Sequence, residues 1–318
     1  MTWLFLCIGL VLLLGGGEAL VNGSVGVARR FRVSPLVIGL TLVGFGTSTP
    51  ELVASLEAAM IGAPGIAIGN VVGSNIANIL LILGVSAVIL PVTTSRKAFT
   101  RDGLVLMMAS VLLVILCMVG TIGRTTGAVF VVLLAAYTLY TYLSERKQAA
   151  PEPAADEPAD RPLAVSALLA VGGIAGVVVG AGFLVDASVE LARRFGMSEA
   201  VIGLTLVAVG TSLPELVTSV MAAIRRHGDV AFGNIVGSNI FNILGIAGVT
   251  GLVSPIPIPE EIIRFDAWIM LASALALVAF AVTGWRINRW EGGLLLAAYA
   301  AYLVLQLSPP VRQAIGLS

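Results

Sequence analysis

A chain of 318 residues in which 58% are hydrophobic and only 11% charged, with a mean hydropathy of +1.02 and no net charge, lacks the polar surface to face water on all sides. Soluble domains carry roughly 25% charged residues, so lipid is the expected medium, and a neutral chain offers nucleic acid no bulk electrostatic attraction. Cys7 and Cys117 both fall in apolar runs, which excludes a disulfide framework.

Apolar runs of the roughly 20 residues needed to cross a bilayer recur along the whole length. In chain order the predicted spans are 3–21, 35–60, 66–90, 103–121, 124–143, 163–185, 199–224, 230–253, 266–284 and 290–307. The first resembles a cleaved leader in position, but no Lys or Arg precedes it and residues 1–6 are already apolar. The sixth run matches it in the second half, so the first is kept in the mature fold. Gly and polar residues interrupt the second, third, seventh and eighth runs. Between the fifth and sixth lies 144–162, SERKQAAPEPAADEPADRP, whose four prolines and five acidic residues read as a solvated connector.

One stretch is copied at a fixed offset. VIGLTLV occupies 37–43 and again 201–207, 164 positions later (201 − 37). Across 37–59 and 201–223, 17 of 23 positions are identical, and GNVVGSNIANIL at 69–80 returns as GNIVGSNIFNIL at 233–244. Generic apolar helices would not keep Pro, Glu, Asn and Ser in register, so the chain is read as a duplication. Five spans per half is an odd number, and the second copy therefore enters the membrane from the opposite side. The expected fold is an all-α membrane protein of ten transmembrane helices in two inverted five-helix repeats. Residues 1–143 form the first, 144–162 the linker and 163–318 the second.

Charge supports the inversion independently. Loops on the side of the first connection hold 13 of the 18 Lys and Arg, among them Arg29, Arg96, Lys97, Arg146, Arg225, Arg226 and Arg286. By the positive-inside rule that side is cytoplasmic, which puts the linker inside, both termini outside, and the chain in a cell (plasma or inner) membrane. The uncharged loop at 61–65 has the counterpart 225–229, which carries Arg225 and Arg226.

The chemistry sits in the repeated spans. Spans two and seven each contain Gly-Thr-Ser-x-Pro-Glu, at 46–51 and 210–215. Proline lacks an N–H and clashes with the carbonyl four residues back, so Pro50 and Pro214 free carbonyls that need a partner at membrane depth. Glu51 follows Thr47 by four and Ser48 by three, which places carboxylate, hydroxyls and freed carbonyls on one face. Calcium and sodium want hard oxygen ligands. Spans three and eight add the stripes Asn70, Ser74, Asn78 and Asn234, Ser238, Asn242, each at a spacing of four. An isolated proline or serine in a membrane helix is a kink or packing device, and Asn can bridge helices with no ligand; these readings fit Asn70, Asn75, Asn234 and Asn239. A carboxylate near the membrane centre costs roughly 3 kcal/mol or more, so a matched pair, Glu51 and Glu215, points to a shared cation site. Glu18, Glu57, Asp186 and Glu190 have no acidic counterpart in the other half and are expected to be interfacial.

Enzyme chemistry finds little support. The single histidine, His227, lies beside Arg225 and Arg226 in a loop and cannot supply a zinc protease motif or an intramembrane Ser/His pair. A calcium-selective channel lined by carboxylates stays open as an alternative, although broken helices in inverted repeats favour alternating access.

The paired GTSxPE and GSNIxN segments resemble the two alpha repeats of the cation/calcium exchanger superfamily, in particular its sodium/calcium exchanger branch and the compact prokaryotic members. The resemblance covers nearly the whole chain and implies an antiporter that exchanges calcium for sodium by alternating access. It implies that Glu51, Glu215 and the carbonyls of Thr47 and Thr211 hold calcium. Sodium would be held by Ser48, Ser212, Ser74, Ser238, Asn78, Asn242 and the carbonyls of Gly44 and Ala208. No cofactor and no obligatory protein partner are implied, only the two ions and the bilayer. Many sodium exchangers carry an Asp at one of the positions matching Asn78 and Asn242, whereas this chain has Asn at both. The proton/calcium branch sets its glutamate in a GNxxE context without the Thr-Ser pair. Calcium/proton exchange is the alternative function.

Overall fold

The structure, a computed structural model, describes residues 2–31, 33–93, 96–146, 162–194 and 208–308. Most of the expected linker (147–161) and the second VIGLTLV copy (201–207) lie outside the described residues. Helices dominate: α1 (Thr2–Phe31), the bent pair α2 (Leu36–Thr47) and α3 (Thr49–Met60), α4 (Pro64–Ile89), α5 (Arg96–Val119), α6 (Arg124–Arg146) and α7 (Leu163–Arg194). They are followed by the one-turn α8 (Ala208–Thr211), α9 (Leu213–Ile224), α10 (Gly228–Val253), α11 (Ile262–Val282) and α12 (Arg289–Leu307).

Among the described residues seven helices are long and apolar enough to cross a membrane, and eight if α2 and α3 are one span. That is fewer than the ten expected. The seventh predicted span is described only from α8 onward, and α9 with its 12 residues is about 18 Å long, too short to cross alone. The tenth is helical as α12, but it opens on Arg289 and Glu291.

By its contacts the chain divides into two compact units that are not the two sequence halves: 1–47 with 135–237, and 48–134 with 238–318. In the first unit α1 lies along α7. A methyl added at Gly23 would meet the Ala170 nitrogen at 2.3 Å, so glycine is what lets these backbones touch. Leu13, Leu20, Val21 and Val177 from this seam join Val37, Val43, Ala222 and Val230 in one apolar core. Glu18 on α1 is part-exposed and pairs with Arg225 at the end of α9, Nε to Oε2 2.7 Å, while the Asn22 amide donates to it at 2.9 Å.

The second unit holds two short antiparallel ladders. β1 (Val92–Thr93) pairs with β4 (Arg286–Ile287), and β2 (Thr121–Ile122) with β3 (Ile256–Pro257). β1 precedes α5 and β2 follows it, whereas β3 precedes α11 and β4 follows it. The crosswise pairing therefore sets α5 and α11, which pack together, antiparallel and puts the two ladders on opposite faces of the unit.

Local structure repeats at the offset of the sequence. α3 and α9 start at 49 and 213, α4 and α10 at 64 and 228, β1 and β3 at 92 and 256, each pair 164 apart. Even the left-handed turns recur. Gly62 (φ 80°) is matched at the offset by Arg226 (φ 62°), and Gly120 (φ 92°) by Trp285 (φ 55°), one position beyond it. A side chain in that region costs roughly 1–2 kcal/mol. Trp285 meets the Arg96 guanidinium 5.5 Å above its ring and Phe99 edge-on at 6.1 Å.

Candidate cation site

The helix breaks where the sequence motif foretells. Ser48 (φ −84°, ψ 9°) and Ser212 (φ −92°, ψ 6°) leave the helical region, and Pro50 and Pro214 fall in the first turn of the helices that restart after them. There a missing N–H costs nothing, because first-turn donors have no intrahelical partner. Glu51 and Glu215 occupy the same first turns, where the helix dipole favours a carboxylate. Both are 1% exposed. A further local feature is not α-helical at all: Gly39–Val43, Asn78–Leu83 and Phe241–Ile246 wind as π-helix, a geometry frequent at functional sites.

In the first unit the α2 backbone meets the opening turns of α10. A methyl on Gly237 would lie 2.2 Å from the Leu40 oxygen, and one on Gly39 2.7 Å from the Val230 oxygen. This close crossing brings Thr47 Oγ1 to Asn234 Oδ1 at 3.3 Å, although its shorter bond, 3.0 Å, goes back to the Val43 carbonyl. The Gly44 carbonyl is 3.4 Å from the same hydroxyl. Asn234 Nδ2 in turn donates to the Glu215 carbonyl (3.3 Å) and to Ser219 Oγ (2.9 Å). Ser212 is buried, Thr211 half-buried, and Ala208 opens α8.

In the second unit α3, the helix of Glu51, packs against α4 and against the second half of α10. Asn70 Nδ2 donates to the Glu51 carbonyl (3.0 Å) and Ser55 Oγ (2.9 Å), the same clamp that Asn234 makes, and Ser74 Oγ reaches Asn70 Oδ1 at 3.4 Å. Ser48, Ser74, Asn78, Ser238 and Asn242 are all buried. Neither side-chain polar atom of Asn78, nor Oδ1 of Asn242, has a hydrogen-bond partner among the described residues. A buried amide left in that state is costly, and a cation accepting its oxygen would remove part of that cost. Among the described residues no cluster of three or more His, Cys, Asp or Glu is present. An ion would be held by carboxylate with hydroxyl, amide and carbonyl oxygens, the donor set of a hard cation.

Sequence reasoning passed over two matched pairs. Ser55 and Ser219 anchor the amide clamps, and both copies stand at the repeat offset. Asp102 and Asp266 do too. Asp102 is fully buried and holds Arg101 (Nε to Oδ1 2.7 Å), while Asp266 accepts from the Tyr302 hydroxyl at 3.0 Å and from Gln306. Ser55 and Ser219 stand within the compared 37–59 and 201–223 stretches, and carrying the comparison of polar residues at the 164 offset beyond the long strings would have found Asp102 and Asp266.

Comparison with known proteins identifies the family. The family model described as "Sodium/calcium exchanger protein" matches residues 1–143 and 165–308. The sodium/calcium exchanger MaX1 of Methanosarcina acetivorans is 36% identical over 342 aligned positions, which cover 96% of this chain and 98% of that protein. A solved structure of the sodium-calcium exchanger NCX_Mj, soaked with 2.5 mM Na+ and 0.1 mM Ca2+, matches at a TM-score of 0.84 and 35% identity, covering 96% of this chain and 98% of that one. The same exchanger soaked without either ion also matches at 0.84. With a multi-pass apolar architecture, a duplicated Pro-Glu motif and similarity of this extent, the chain belongs to the sodium/calcium exchanger protein family.

Proposed function

We propose that this chain is a secondary active antiporter that exchanges calcium for sodium across a cell membrane by alternating access. The observation that carries the reading is the duplicated, buried glutamate. Glu51 and Glu215 each begin a half-helix behind a proline break, and each has its backbone clamped by an asparagine from a neighbouring helix. In this reading Glu51, Glu215 and the Thr47 and Thr211 carbonyls hold calcium. Ser48, Ser212, Ser74, Ser238, Asn78, Asn242 and the Gly44 and Ala208 carbonyls serve sodium. The exchange activity of MaX1 and NCX_Mj, as their names state it, supports the choice of ions.

The architecture proposed is ten helices in two inverted repeats, 1–143 and 163–318, with the 144–162 linker in the cytoplasm and both termini outside. The crosswise β1·β4 and β2·β3 pairing supports inversion, since it sets the equivalent helices α5 and α11 antiparallel. It also groups Arg96 and Arg101, at the start of α5, with Arg286 and Arg289 on one face.

The test is calcium uptake into proteoliposomes under an outward sodium gradient and, separately, under a pH gradient. Uptake driven by sodium is expected. Uptake that ignores sodium and follows pH alone would replace this reading with calcium/proton exchange. Uptake without any counter-ion gradient, at near-diffusive rates, would indicate a channel.

A further inference from the structure

Among the buried hydroxyls outside the proposed ligand set, two stand at equivalent positions. Ser86 on α4 and Thr250 on α10 are each 0% exposed, and neither side-chain oxygen has a hydrogen-bond partner among the described residues. A serine or threonine inside a helix commonly bonds back to the carbonyl four residues earlier; neither does so here. The positions are equivalent in the two repeats (250 − 86 = 164). A single buried, unpartnered hydroxyl is a packing accident that a chain can tolerate, but the same cost retained at both copies asks for a reason.

Their direction supplies one. Eight residues separate Asn78 from Ser86 and Asn242 from Thr250. In a regular α-helix that spacing overshoots two turns by about 80°. The π segments Asn78–Leu83 and Phe241–Ile246 intervene, and a π-bulge accommodates an extra residue. Eight positions then turn the chain as roughly seven α-helical ones do, within about 20° of two full turns. Ser86 comes into line with Asn70, Ser74 and Asn78, and Thr250 with Asn234, Ser238 and Asn242. One apolar turn, Ile82 or Ile246, both fully buried, separates hydroxyl from amide. Ser86 lies toward the β1·β4 face of the second unit and Thr250 toward the β2·β3 face.

We propose that Ser86 and Thr250 are staging contacts for the monovalent cation, one for each side of the membrane, where sodium exchanges a water for a hydroxyl oxygen on its way to or from Asn78 and Asn242. This rests on the exchange reading above. A neutral oxygen suits a singly charged hard cation, and the apolar turn beyond it keeps bulk water from following.

The experiment uses Ser86→Ala, Thr250→Val and the hydroxyl-preserving Thr250→Ser in membrane vesicles of known sidedness, with sodium titrated separately on each face. Ser86→Ala should raise the half-saturating sodium concentration only on the face that carries the β1·β4 ladder. Thr250→Val should do so only on the opposite face. Each shift should be roughly fivefold, the factor that loss of one ~1 kcal/mol polar contact gives, and Thr250→Ser should behave as wild type. Variants that leave sodium dependence unchanged on both faces, or that change both faces equally, overturn the staging role while leaving exchange intact. A wild type with no sodium-driven calcium flux would instead sink the exchange reading and this inference with it.

Discussion

Asn70 and Asn234 make the same pair of hydrogen bonds, each to the carbonyl of a glutamate and to a serine one turn further along. The turns that close the same two helical hairpins are built differently: glycine supplies the left-handed residue at Gly62, whereas Arg226 adopts it in the second copy. After duplication, atoms around the glutamates stayed fixed and the loop ends diverged. The reason is physical. A buried amide must satisfy particular donors and acceptors, so its position tolerates little change, whereas an exposed turn answers to the charge of the side it faces. Glu18 and Arg225 show that freedom most plainly, since their counterparts Gly182 and Ile61 cannot form an ion pair.

The strongest way to break this comparison is to remove one charge from one copy. Glu51→Gln and Glu215→Gln should each reduce sodium-driven calcium flux on the order of 100-fold or more, because unbalancing a buried charge contact costs about 2–5 kcal/mol. Flux in proteoliposomes, normalised to folded protein by size-exclusion profile, measures it. Full activity in either variant would show that the two glutamates are not partners in one cargo site.

A milder test addresses the clamps. Asn70→Ala and Asn234→Ala should each slow exchange roughly tenfold, as expected for two lost hydrogen bonds of about 1 kcal/mol each that act partly on folding and partly on position. Asn234→Ala should be the more damaging, since Asn234 also meets Thr47. Negligible losses in flux would reduce the clamps to ordinary helix packing, and equal losses would show that the Thr47 contact adds nothing.

The smallest effect concerns the turns. Arg226→Gly should raise thermal stability in detergent and Gly62→Arg lower it, each by about 1 kcal/mol or less, since left-handed strain is offset in part by glycine's greater chain entropy. A melting temperature unmoved by both would show that the matched φ values carry no strain.

The duplication was legible because whole strings survive, down to Pro50, Glu51 and Asn78 against Pro214, Glu215 and Asn242. The helix breaks followed from proline alone. Other features left no mark that periodicity can read. Asn78–Leu83 is NILLIL, an apolar run that α-helix and π-helix share equally. The clamp joins residues 19 apart, 51 with 70 and 215 with 234, and such a pairing becomes visible only once the hairpin is folded. Ladders of two residues fall below any alternation signal, so Val92 and Ile287 gave no hint of each other. Hydropathy does not fix the number of spans, because a helix broken at Ser48 or Ser212 no longer presents one continuous apolar stretch.

Those two-residue ladders have a consequence for how the chain is made. Val92 pairs with Ile287, 195 positions later (287 − 92), and Ile122 with Ile256. Neither can close until most of the second repeat has left the ribosome, so α5 must wait in the bilayer with both of its flanking strands open. Contacts of such long sequence separation slow folding, and unpaired segments are prone to wrong partners in the meantime. The first half of the chain is therefore not a finished object when synthesised; both ends of α5 are held by residues encoded in the second half, and the pair matures as one piece.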